Sequence, residues 1–141
     1  MGQPRFNHIA LTVSPELLDG DGRGDVLDFY GDVFGWHEVT QMTEPGKVLV
    51  LGAHRFDQFV FLVGGDAPTQ VGPRDHFGMA VDTVDELDGV LDRAKARAAT
   101  DDRVDVIDKT VEDFGPVKLT SFYTRFLLPM MIEVQHFALD S

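Results

Sequence analysis

Two stretches of this chain, NHIALTV at 7–13 and DHFGMAV at 75–81, carry the same alternating pattern with a histidine at the same point. His8 and His76 stand 76 − 8 = 68 residues apart in a sequence that holds five histidines in all. What surrounds them repeats as well. In the first half a half-buried strand over about 5–13 puts His8, Ala10 and Thr12 on one face and Ile9, Leu11 and Val13 on the other. The segment SPELLDGDGRG reads as a loop, and Val26, Phe29, Tyr30, Val33 and Phe34 then recur at helical spacing until Gly35. Strand-like runs follow at about 37–42, at KVLVL and at FDQFVFLV.

The cycle restarts after GGDAPTQVGPRD, rich in Gly and Pro and poor in apolar residues. DHFGMAV is the new first strand. Thr83 and Glu86 have the spacing of a capping box before a helix marked by Leu87, Val90, Leu91, Ala94 and Ala98. RVDVI, VKLTSFYTRF after the DFGP turn, and MMIEVQHF supply three more strands. A repeat in which neither half covers its own apolar sheet face predicts two modules packed into one α+β domain over 1–141. The first spans about 5–65, the linker about 64–74 and the second about 75–139.

Composition narrows the chemistry. Twelve basic against 24 acidic residues leave a net charge of −12, which repels nucleic acid and anionic membranes and favours neutral or cationic ligands. With no cysteine, a disulfide, a thiolate nucleophile or a thiolate metal site is excluded, so any metal must take nitrogen and oxygen donors. No stretch reaches the roughly 18 apolar residues of a membrane span. The opening MGQPRFNHIALTV has no signal-peptide pattern, and Phe6 stands where a myristoylation site needs Ser or Thr. The expectation is a cytoplasmic protein.

The last strand adds a carboxylate. In MMIEVQHF, Ile132 and Val134 suit the helix layer, which turns Glu133 to the face that His8 and His76 occupy in their own strands. Two imidazoles and one carboxylate suit a divalent transition metal with open positions for substrate. One histidine on an apolar strand is ordinarily a hydrogen-bonded core residue. Two at equivalent repeat positions, with a carboxylate on the matching face, favour a metal set of His8, His76 and Glu133. Aligning VFL of the first module with IEV of the second puts Phe61 where Glu133 stands, so no fourth ligand is evident and Phe61 is read as a substrate contact.

Tyr123 and Arg125 share a face, one suited to proton transfer and the other to holding a carboxylate or oxyanion, against the alternative of ordinary cross-strand contacts. Gln135, on the Glu133 face, suits a substrate or second-layer contact. His37, His54 and His136 have no repeat partner and are left out of the site. The aromatic group Phe29, Tyr30, Phe34 and Trp36 reads as core or subunit contact.

NHIALTV, VLDFYGDVFGW, DHFGMAVDTVDEL and MMIEVQ together resemble the vicinal oxygen chelate superfamily, which includes glyoxalases, epimerases, fosfomycin resistance enzymes, extradiol dioxygenases and bleomycin resistance proteins. The resemblance covers nearly the whole chain. It implies paired βαβββ modules forming a cupped mixed sheet with helices outside, a divalent metal (Fe, Mn, Co, Ni or Zn) on His8, His76 and Glu133, and frequently a homodimer. In the dioxygenases a tyrosine precedes the carboxylate ligand by about ten residues. Tyr123 precedes Glu133 by 133 − 123 = 10, although the histidine expected upstream is absent from DFGPVKLTSFY. The turn RFLLPMM departs from the family's polar turn, and VQHFALDS lacks the basic residues expected of a phosphonate binder. Three functions remain from this reading: a metal-dependent lyase, isomerase or dioxygenase; a metal-free protein that sequesters a drug or metabolite; and a ligand-free interaction or scaffold dimer.

Overall fold

The structure is a computed structural model that describes residues 2–140. Among the described residues, no helix is long and apolar enough to cross a membrane. The chain forms two compact units that divide between Gln70 and Val71.

The first unit contains β1 (His8–Val13), a 3-10 turn at Pro15–Leu18, α1 (Gly20–Phe34), β2 (His37–Glu38), β3 (Val48–Gly52) and β4 (Phe59–Gly64). Its four strands lie in the order β1-β4-β3-β2, with β1 parallel to β4 and the other pairs antiparallel. The alternation does what it predicts. Leu11, Val13, Val60, Leu62, Leu49 and Leu51 are buried, and so is the α1 stripe of Val26, Phe29, Tyr30 and Val33. Burying each such side chain contributes about 1.5–3 kcal/mol.

Three expectations shift here. The helix begins at Gly20, inside the segment read as a loop, because Asp19 caps it by accepting from the Gly20 amide at 2.9 Å. Gly22 is required: a Cβ there would sit 2.1 Å from the Glu16 carbonyl oxygen. The strand expected at about 37–42 stops at Glu38, where Met42 and Thr43 donate back to the Val39 carbonyl and close a turn. Nor does β4 take in Phe56–Gln58: the Gln58 amide closes a turn on the Arg55 carbonyl at 3.0 Å.

The second unit repeats the plan with β5 (His76–Ala80), α2 (Val84–Ala98), β6 (Val104–Asp113), β7 (Val117–Phe126) and β8 (Met131–Leu139) in the order β5-β8-β7-β6. Again the first and last strands are parallel and the rest antiparallel. Thr83 caps α2, its Oγ1 accepting from the Glu86 amide at 3.1 Å, while Glu86 returns a bond to the Asp82 amide at 3.0 Å. Ile132 and Val134 are buried together with Leu87, Val90, Leu91 and Ala94, so their expected facing holds. The strand expected at 103–107 runs on to Asp113 past an irregularity between Ile107 and Thr110. The α+β fold of paired βαβββ modules is therefore present, each module carrying its own mixed four-stranded sheet.

One backbone feature prepares the site. Leu127 has φ 63°, and the Leu128 amide donates to the Phe126 carbonyl at 2.7 Å, a tight three-residue turn that a branched side chain adopts with strain. Pro129 follows. This apolar turn delivers the chain into β8, the strand that carries Glu133.

Candidate functional site

The register of the second sheet assembles its polar face in rows. Gly78, Glu133 and Tyr123 are cross-strand partners, and Ile107 completes that row beside Tyr123. In the next row His76 pairs with Met131 and Arg125 with Asp105; since Thr124 pairs with Ile132, Arg125 falls opposite Met131. Ala80, Gln135, Ser121 and Thr110 form a third row. His76, Glu133, Tyr123, Arg125 and Gln135, five residues singled out from the sequence, thus share one sheet face.

Glu133 is the centre of that face and is only 5% exposed. Its Oε1 lies 3.2 Å from His76 Nε2 and accepts from Gln135 Nε2 at 2.8 Å. The Tyr123 hydroxyl also hydrogen-bonds Glu133, and the phenol ring meets the His76 imidazole edge-on at 5.2 Å. Burial first, and then the negative charge and hydrogen bond of Glu133, push the Tyr123 hydroxyl above its ordinary pKa and keep it protonated at neutral pH.

The histidine tautomer follows from its other partner. His76 Nδ1 lies 2.8 Å from the Arg74 carbonyl, which can only accept, so Nδ1 carries the proton and a neutral ring turns the lone pair of Nε2 toward Glu133. Two acceptors facing each other at 3.2 Å need a proton or a cation between them. Donors bound to one divalent ion at about 2.1 Å stand about 3.0 Å apart on an octahedral edge and about 3.4 Å apart on a tetrahedral one, and the observed spacing falls between. A histidine whose Nδ1–H is held by a carbonyl while Nε2 points at a carboxylate has the usual orientation of a metal ligand. The nitrogen and oxygen donor set fits a divalent metal. Among the described residues, however, no three His, Cys, Asp or Glu side chains are grouped to hold one, so His76 and Glu133 form a two-donor set.

His8 stands in the first unit and shows the same tautomer logic. Asn7 Nδ2 donates to the Asp57 carbonyl at 3.0 Å, which turns its Oδ1 toward His8 Nδ1, also at 3.0 Å. His8 Nδ1 is then the donor and Nε2 carries the free lone pair. The ring is exposed and stacks on Phe59 at 4.7 Å. Phe61, half-buried, pairs with Ala10 on one side and Val50 on the other, the place Glu133 occupies between Gly78 and Tyr123 in its own sheet. The alignment of VFL with IEV is therefore the register of the strands.

Two contributors escaped the sequence reading. Asn7 orients His8, and its place directly before the histidine was the available signal. The Arg74 carbonyl orients His76, and no side-chain pattern announces a backbone acceptor. Gly78 matters for a related reason: a Cβ there would meet Gln135 Oε1 at 3.2 Å, so the bare backbone leaves room for the amide that binds Glu133. Beside these rows lies a cavity of about 450 Å³, whose strand side is formed by Asp105, Ile107, Arg125 and Met131 and whose other wall includes Pro73 and Asp75.

Two four-stranded sheets of identical strand order, one bearing a paired imidazole and carboxylate, define a duplicated βαβββ protein with a polar site on a sheet face. The family model described as the glyoxalase/bleomycin resistance protein/dioxygenase superfamily matches residues 5–113, and the chain belongs to that superfamily. Among solved structures, it is similar to a glyoxalase/bleomycin resistance protein/dioxygenase from Alicyclobacillus acidocaldarius at 17% identity and TM-score 0.66, covering 97% of this chain and 95% of that one. The fosfomycin resistance protein FosX from Listeria monocytogenes matches at 15% identity and TM-score 0.63, covering 100% and 96%. A possible glyoxalase from Bacillus cereus matches at 20% identity and TM-score 0.59, covering 92% and 96%. These likenesses show the fold. No curated protein matches.

Proposed function

We propose that this chain is a metal-dependent enzyme of the glyoxalase or dioxygenase type, acting on a small oxygenated molecule by lyase, isomerase or dioxygenase chemistry. His76 and Glu133, with His8 as third donor, would hold a divalent ion of the Fe, Mn, Co, Ni or Zn series. The observation that carries the reading is His76 Nε2 lying 3.2 Å from Glu133 Oε1 while its Nδ1 sits 2.8 Å from the Arg74 carbonyl. When bound, such an ion supplies Lewis-acid polarisation of a substrate oxygen.

The other roles belong to the chain itself. Tyr123, kept protonated beside Glu133, is the acid/base residue: its hydroxyl gives a proton to a substrate oxygen, and the phenolate so formed takes one back. Gln135 fixes the rotamer of Glu133 through its 2.8 Å bond. Arg125 orients the far end of the substrate, and Phe61 offers an apolar contact. The proposal includes a homodimer and a cytoplasmic location, with neither nucleic acid nor membrane as partner given the charge of −12.

Protein purified anaerobically without chelator is expected to carry close to one metal ion per chain by inductively coupled plasma mass spectrometry. His76→Ala and Glu133→Ala, shown folded by circular dichroism, are expected to carry almost none. Wild-type chain that stays metal-free after reconstitution sinks the enzyme reading. The second reading, sequestration of a cationic small molecule, is supported by the acidic charge and by the Asp75 and Asp105 carboxylates in the cavity wall.

A further inference from the structure

The cavity holds one cationic side chain and two anionic ones. Arg125 Nε and Nη2 both donate to Asp105 Oδ2, at 3.1 and 2.8 Å. Asp75 lies on the other wall, its Oδ2 accepting from the Gly72 amide at 2.7 Å. The guanidinium edge best suited to grip a carboxylate or phosphate in two-point fashion is therefore already taken by a residue of the protein. An incoming anion would have to displace Asp105 and would then lie beside two carboxylates. Arg125 and Asp105 are partly exposed, 37% and 51%, so their bond can open, but the Asp105 charge remains next to the ligand when it does.

Sheet geometry sets the reach. His76, Met131, Arg125 and Asp105 occupy one row across four neighbouring strands, and strands about 4.8 Å apart place the His76 and Arg125 backbones about 10 Å from each other. Met131 lies between them, and Ile107 adds a second apolar side chain to the wall. A ligand filling this row presents an oxygen at the His76–Glu133 end, an apolar body over Met131 and Ile107, and a hydrogen-bonding group at the Arg125–Asp105 end. We infer that the group at this last end is uncharged, an amide or carbonyl rather than a carboxylate or phosphate, and that Asp105 is the residue that sets this preference.

The inference deepens the proposed site and rests on that face being the site, yet its test needs no metal, so it fails or stands separately from the metal reading. Benzamide and benzoate, equal in shape and different in charge, are titrated into the metal-free full chain while the Met131 methyl and Arg125 Nε–H signals are followed by nuclear magnetic resonance. Wild type is expected to bind benzamide more tightly than benzoate. Asp105→Asn is expected to strengthen benzoate binding at least about fivefold and to leave benzamide within about twofold. Asp75→Asn, a change on the opposite wall, should shift the ratio in the same direction by less and guards against a local misfolding of Asp105→Asn. The inference is overturned by a wild type that prefers benzoate, by a ratio unmoved in Asp105→Asn or moved more by Asp75→Asn, or by the absence of any response to either probe at millimolar concentration.

Discussion

The two units share a strand order, a helix and a register, and differ on one face of the sheet. In the first, that face carries Ala10, Val50, Phe59, Phe61 and Val63. In the second, the positions set by the same register carry Gly78, Tyr123, Met131, Glu133 and Gln135. The helix-facing sides are alike and largely apolar, as packing against α1 and α2 demands, the second adding a buried Thr124 whose hydroxyl donates to the Asp105 carbonyl. Duplication has kept what holds each sheet together and let the other face diverge, one into an apolar surface edged by His8 and one into a cluster of donors and acceptors. A carboxylate or an aromatic ring at the same register position, Glu133 or Phe61, is the sharpest form of the difference.

The largest expected effect removes that difference. Glu133→Ala should abolish metal binding by mass spectrometry, whereas Phe61→Ala should leave the metal in place and lower unfolding stability by about 1–2 kcal/mol in urea titrations. Equal metal loss in both would break the contrast. Tyr123→Phe comes next: metal is retained and turnover on an identified substrate falls by about 10²–10⁴ if its hydroxyl moves a proton. A turnover unchanged by that substitution would leave Tyr123 as a packing residue of the His76 ring.

Smaller effects sharpen the comparison. Gly78→Ala should push the Gln135 amide by a few tenths of an ångström and weaken metal affinity several-fold by isothermal titration calorimetry, while Ala10→Gly in the first unit should leave it unchanged and cost about 0.5–1 kcal/mol of stability. The smallest concerns acid. Asp101, bonded by Arg103, has its pKa lowered to about 2 from 3.8. A depressed carboxyl contributes stability that is present above 3.8 and lost as pH falls through about 2. The thermal midpoint gap between wild type and Asp101→Asn should therefore be visible at pH 6 and narrow toward pH 2.

Most of the architecture was legible because alternation and helical spacing respond to burial, and burial repeats in both halves. The pairing of Phe61 with the Glu133 position was legible for the same reason, since register follows from which residues must face the helix. The early start of α1 was not, because three glycines argue for a loop unless the contact of Gly22 with the Glu16 carbonyl is known. Nor was the short β2: VTQMT alternates, but the turn closed on the Val39 carbonyl is a backbone event. At the site, residue type and spacing pointed to His8, His76 and Glu133, while the tautomers that make both imidazoles suitable donors depend on Asn7 and on the Arg74 carbonyl. Hydrogen-bond direction lies beyond what spacing encodes.

The central claim is that the second unit's His76–Glu133 pair holds a divalent metal. The most direct test is anomalous diffraction at the manganese edge from crystals grown with manganese chloride. The account predicts a single strong peak about 2.1–2.3 Å from His76 Nε2 and from a Glu133 carboxylate oxygen. A manganese-free site in which His76 Nε2 hydrogen-bonds directly to Glu133, with any bound metal elsewhere, would contradict it.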